Sequence, residues 1–129
     1  HVSAVLDESD FPPAPGQGAI AITVRADDQE ALEAVAQITC QDTGHALAAE
    51  RAFLDCLDGS CRTPIAGHAR ISNGHVHFSG LLLSADGQRS ATAQTDGPVD
   101  AAARLGREAG EMIRAKAPNL LPTPAAHNG

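Results

Sequence analysis

Apolar residues recur along the chain with two different periods, and each change of period marks a new element. In GAIAITVR, Gly18 to Arg25, the residues Ile20, Ile22 and Val24 alternate strictly, with the small apolar Ala19 and Ala21 between them, as in a strand covered on both faces. Residues 18–25 are expected to form a strand. Asp27 and Asp28 then stand where a helix cap is needed, and Ala31, Leu32, Val35, Ala36 and Ile38 fall near helical spacing, predicting a helix over about 28–38. A longer helix is expected over about 43–58, capped by Asp42 or Thr43 and stopped by Gly59, with Ala46, Leu47, Phe53, Leu54 and Leu57 on its inward face.

The period then shortens to two. Asn73-Gly74 and Asp86-Gly87 both accept the positive φ angles of tight hairpin turns, so strands are expected at about 64–72, 75–84 and 87–95. The middle strand places Val76, Phe78, Gly80 and Leu82 on one face. Asp96-Gly97-Pro98 is expected to open a last helix, with Ala102, Leu105, Ala109, Met112 and Ile113 on one stripe, ending before Pro118. The proline-rich, acidic lead-in at residues 1–16 has no sustained period, and the tail from Asn119 is expected to fray.

A meander with one face bare would expose a large apolar patch, so the two helices that flank it in sequence are expected to pack on it. The fold class is therefore α+β: a three-stranded antiparallel meander covered on one face by helices. The strand-helix segment before it has no hairpin partner in the chain and is expected to belong to an absent upstream domain. The expected division is 1–39 for this returning segment and 40–129 for the α+β domain.

The chain has 129 residues, suited to one domain, or one domain plus a piece of another. Much of its 43% apolar content is alanine, so its core is thin. Sixteen acidic residues against nine basic ones give a net charge of −7, so no basic face is available for nucleic acid, which is not expected as a partner. No run is long and apolar enough for a membrane span and no leader pattern opens the chain, so a soluble, cytoplasmic protein without membrane contact is expected. The odd number of cysteines, Cys40, Cys56 and Cys61, argues for reduced thiols.

The most informative stretch is GSCRTPIAGHA, residues 59–69, where Cys61 lies between a helix end and a strand, beside Arg62, whose charge favours thiolate. Spacing alone leaves open whether Cys61 is a nucleophile or an inert small hydrophobe. Cys56 and Cys61 with His68, His75 and His77 allow a zinc site, but the spacing is poor: Cys56 reads more simply as a buried helix residue, and His75 and His77 as polar residues on an open sheet face. Metal is not expected. Glu50-Arg51 reads as a solvated or ion-paired helix turn, with a contact at an interdomain seam as the other reading. The Gly16-Gln17-Gly18 run lacks the lysine of a phosphate loop and precedes a strand, so nucleotide binding is not expected.

The order of these motifs carries a resemblance. PAPGQGAIAITVRADD (Pro13 to Asp28), AAERAFLDCLDGSCRTPIAGHA (Ala48 to Ala69), the hairpin meander and the final Ala-rich helix together closely resemble the C-terminal part of the porphobilinogen deaminase (hydroxymethylbilane synthase) family, from about Pro12 to Ala117. The resemblance implies a transferase of tetrapyrrole and haem biosynthesis that joins four porphobilinogen molecules, with loss of ammonia, into the linear tetrapyrrole hydroxymethylbilane. It also implies a dipyrromethane cofactor held by a thioether to Cys61, with Gln17, Gly18 and Ala19, after Gly16, in the crossing near that cofactor. Ser60 stands where the family usually has glycine, and Thr23 where it usually has glutamate.

The family's catalytic aspartate and its arginines for substrate carboxylates would lie upstream of His1, so no catalytic residue is expected in this chain. Its partners are then the upstream domains of the same protein and, in the whole enzyme, porphobilinogen. Alone, the chain is expected to be inactive and to carry a bare Cys61 thiol. The alternatives are a stand-alone α+β binding module and a cysteine-dependent hydrolase using Cys61 with His68 or His45 as base.

Overall fold

The structure is a computed structural model that describes residues 1–57 and 63–121. Three strands, β1 (Ile65–Ser72), β2 (His75–Leu83) and β3 (Ser90–Pro98), form one antiparallel sheet in the order β1-β2-β3. Before them come α1 (Gln29–Ala36) and α2 (Gln41–Cys56), and after them α3 (Ala102–Lys116), entered through a short 3-10 turn at Val99–Ala101. Both α2 and α3 lie on the same face of the sheet, as the apolar pattern requires, and the fold is a mixed α+β domain.

Period-two alternation fixes which face they cover. Along β2 the buried residues are Val76, Phe78, Gly80 and Leu82, with exposed residues between the first three. Phe53 of α2 enters this face and meets Phe78 at 5.0 Å between ring centroids, with planes tilted by 57°. It fits because the sheet has no side chain beneath it. Gly67 and Gly80 are register partners, and a Cβ on Gly80 would stand 2.5 Å from the Phe53 ring. Leu57, Leu82, Leu105, Ala109 and Ile113 complete the core.

The Asn73-Gly74 hairpin forms as expected: β2 starts directly after it, and both turn residues hold positive φ, 51° and 72°. The second hairpin differs. Residues 84–89 make a longer loop, in which Ser84 N–H donates to Arg89 O at 2.9 Å and Arg89 N–H donates to Ser84 Oγ at 3.0 Å. Asp86 accepts from Gln88 N–H at 3.1 Å, and the Ser84 hydroxyl donates to the same carboxylate and holds it below the usual range. These side-chain bonds outcompete a two-residue turn, so β3 begins three residues later than expected and absorbs Asp96-Gly97-Pro98, which pair with β2 instead of opening a helix.

Other boundaries shift for local reasons. Asp28 caps α1 by accepting from Ala31 N–H at 3.0 Å. Helix α2 starts ahead of both expected caps, with Cys40 at the N-cap position. On α3 the stripe holds except at Met112, which is exposed, while Gly106 and Gly110 are buried against α2. Residues 118–120 form a 3-10 turn, and Leu120 and Leu121 pack against the core, so the expected fraying does not begin at Asn119. The rest of the tail, and the expected helix stop at Gly59, lie outside the described residues.

The expected strand at 18–25 is absent: residues 19–25 take no regular structure, and no described segment pairs with them. A strand needs a hydrogen-bonding neighbour, and its apolar residues need cover; Ile20 is 90% exposed and Ile22 53%. No residue from 1 to 39 is buried.

Candidate functional site

Helix α2 and strand β1 frame the connection that carries Cys61. Its entry is fixed by Leu57, fully buried, whose N–H donates to Phe53 O and Leu54 O. Its exit is fixed by Pro64, whose carbonyl accepts from Leu83 N–H at 3.0 Å, and by Thr63, whose carbonyl accepts from Ile65 N–H at 2.8 Å. Cys61 itself, with Arg62 and Ser60, lies outside the described residues.

The Gly16-Gln17-Gly18 run makes two successive tight turns. Gln17 N–H donates to Ala14 O at 3.1 Å, Ala19 N–H donates to Gly16 O at 3.2 Å, and Gly16 and Gly18 hold φ of 75° and 82°. The exposed Gln17 side chain accepts from Ala14 N–H through Oε1 at 3.1 Å. This turn sits on α2, where a Cβ on Gly16 would come 3.6 Å from Leu47.

Glu50 departs from its solvated reading. It is buried on α2, its Oε2 accepting from Gly16 N–H at 2.6 Å and its Oε1 from Ala69 N–H at 2.9 Å. The carboxylate joins the 14–18 turns to the edge of the sheet. Pro13 O accepts from Gly67 N–H at 3.1 Å, so two outward donors of edge strand β1 are satisfied by this arrangement. Arg51 is exposed. His68 Nδ1 also lies 3.8 Å from Glu50 Oε1. Sequence reasoning missed this role of Glu50 because its two hydrogen-bond donors are backbone groups, which carry no sequence signal.

The histidines go elsewhere. His68 Nε2 lies 2.9 Å from Glu8 Oε2, and Arg70 Nη1 lies 3.6 Å from Glu8 Oε1, so the lead-in crosses the open sheet face there. His77 pairs with its cross-strand neighbour Asp96, and His75 Nδ1 is 3.3 Å from Asn73 O. Glu8, Asp10, His68, Arg70, His77 and Asp96 border a hollow of about 690 Å³ over the polar face. His45 is half-buried on the first part of α2. Among the described residues no group of three or more His, Cys, Asp or Glu is placed to hold a metal ion.

Two cysteines, Cys40 and Cys56, lie among the described residues. Cys56 is half-buried, its sulfur beside Gly110 of α3. Cys40 is exposed at the α2 N-terminus; its sulfur makes no capping bond of normal geometry, yet the Thr43 hydroxyl, then the Thr43 N–H, hold its thiol below the ordinary range. A lowered thiol pKa raises the thiolate fraction near neutral pH. Cys40 is therefore expected to alkylate with iodoacetamide several-fold faster than Cys56 at pH 7, followed by peptide mass, and Thr43→Ala is expected to slow it; equal rates for the two thiols would contradict this.

No helix among the described residues is long and apolar enough to cross a membrane. Fold and site together define a small α+β domain with a cysteine on the connection between its first packed helix and its sheet. The family model described as porphobilinogen deaminase, C-terminal domain, matches residues 45–115, a span that includes Cys61. The porphobilinogen deaminase of Nitrobacter hamburgensis is 46% identical over 117 residues, covering 91% of this chain and 37% of that protein. The chain belongs to the porphobilinogen deaminase family. It spans a little over a third of the length of that curated relative.

Proposed function

We propose that this chain is the C-terminal part of a transferase that joins four porphobilinogen molecules, with loss of ammonia, into hydroxymethylbilane, and that Cys61 carries its dipyrromethane primer through a thioether. The observation that carries the reading is the family match across residues 45–115 with a cysteine inside it, on a connection whose two ends are pinned at Leu57 and Pro64.

The donor chemistry fits such a group. A thiolate is a soft nucleophile suited to the electron-poor methylene left when porphobilinogen loses ammonia: the carbon–nitrogen bond breaks, a carbon–sulfur bond forms, and the thiol proton leaves with the amine. Once bound, the primer supplies the pyrrole carbon at which further units add. This chain's part is to hold it. Gln17, exposed at the tip of its turn, offers a side-chain amide, and Gly18 and Ala19 continue the crossing. The 16 acidic and nine basic residues are a poor match for a polycarboxylate substrate, so the cationic groups that bind it belong to upstream domains of the same protein. Catalytic residues belong there too, and this chain alone is inactive.

The test is intact mass of the full-length protein followed by peptide mapping. A dipyrromethane increment is expected on the tryptic peptide 52–62, which holds both Cys56 and Cys61, and fragment ions are expected to place it on Cys61. An unmodified peptide from an active enzyme, or an increment on Cys56, would overturn the assignment.

A further inference from the structure

Glu50 is a buried acid that the proposed chemistry does not use; each of its oxygens accepts from a backbone N–H, of Gly16 at 2.6 Å and Ala69 at 2.9 Å, and His68 Nδ1 stands further off, 3.8 Å from Oε1. The three segments that meet on it bracket Cys61: α2 leads into the connection, β1 leads out of it, and Gly16 opens onto Gln17. Seven residues of helix, about 10 Å of axial rise, separate Glu50 from Leu57 at the connection's entry. We infer that Glu50 is a positioning residue that holds the Gln17 turn in register with the α2–β1 frame, and that it acts on the proposed reaction through Gln17.

The donor pattern specifies a carboxylate. Two N–H donors need two acceptor oxygens, and an amide offers one oxygen and would set its NH2 group against the other N–H. Bonds to an ionised acceptor are the stronger kind, and partial burial keeps water from replacing them. The segment is also held by the Gly67 N–H to Pro13 O bond at 3.1 Å and by Glu8 against His68. Losing one Glu50 bond therefore displaces the turn and does not release it. Reaction rates respond steeply to such displacement, by about a hundredfold for a shift near 1 Å.

The inference rests on the proposed function, and its test separates the two. In the full-length protein, Glu50→Gln, Gln17→Ala and the double variant would be compared by turnover per primer-loaded molecule, porphobilinogen KM, loading by intact mass, and amide exchange at Gly16 and Ala69. E50Q is expected to speed exchange at one or both amides about tenfold and lower turnover per loaded molecule about tenfold, with loading and KM within about twofold. In the Gln17→Ala background the same change is expected to cost less than twofold, because the residue it acts through is gone. Additive losses, or full turnover per loaded molecule despite faster exchange, would overturn the inference and leave the proposed function standing. An enzyme without a primer would sink the proposed function, whereas the exchange result would remain. Should E50Q not fold, Glu50→Asp, one methylene shorter, takes its place in the cycle; unprotected Gly16 and Ala69 amides in the unaltered protein would also refute the inference.

Discussion

Cys61→Ser in the full-length protein is expected to eliminate the attached dipyrrole and to lower hydroxymethylbilane formation by about a hundredfold or more, since a serine hydroxyl without an activating base is a far weaker nucleophile than a thiolate. The change is small in volume, so folding is expected to survive it and thermal unfolding to stay close to that of the unaltered protein. Cys40→Ser serves as the control: Cys40 is exposed at the start of α2, at the far end of that helix from the connection, and its replacement is expected to leave loading and turnover intact. Intact mass and product absorbance read both outcomes. Retention of the adduct in C61S would exclude the tether. Loss of an esterase activity with no change in tetrapyrrole formation would favour a cysteine hydrolase.

The largest stability effect is expected at Gly106. A Cβ there would sit 1.9 Å from the Ala49 carbonyl oxygen and 2.7 Å from its carbon, and both are backbone atoms of a packed helix. Nothing flexible can yield. In Gly106→Ala the helices α2 and α3 must separate, loosening Phe53, Leu105, Ala109 and Ile113 together. Alanine returns about 1 kcal/mol of helix propensity, yet the net loss is expected to be about 2–3 kcal/mol, a fall in midpoint temperature of roughly 5 °C in the full-length protein. Gly44→Ala is the paired test. No atom lies within 4 Å of a Cβ at Gly44, so only the propensity gain remains, about 0.5–1 kcal/mol of stabilisation. Thermal unfolding of the two variants in the full-length protein should move in opposite directions; a G106A protein as stable as its parent would mean that the helices are not in contact there.

Much of the domain was legible in the residue pattern because its signals are local. Asn73-Gly74 specifies its turn through backbone conformations that few other residues accept, and the alternation through Val76, Phe78, Gly80 and Leu82 specifies the buried face. The same local reasoning misplaced Asp86-Gly87, where the bonds among Ser84, Asp86 and Arg89 extend the loop and move β3 by three residues. It also assigned a strand to residues 18–25, whose alternation is real but which pair with no described segment. Of the candidate site, the motif pointed to Cys61, which lies outside the described residues, and the setting of Gln17 on α2 was not legible.

By itself, then, the sequence determined the helices and strands of the α+β domain, their apolar faces and the family, since each is written in residue identity and spacing. Only the tertiary structure decided that Glu50 faces inward between two backbone amides, that Gly67 and Gly80 make room for the Phe53 ring, and that Gly106 lets α2 and α3 touch. Those are contacts between segments distant in the chain. They depend on backbone groups that every residue shares, and so leave no trace in a local pattern.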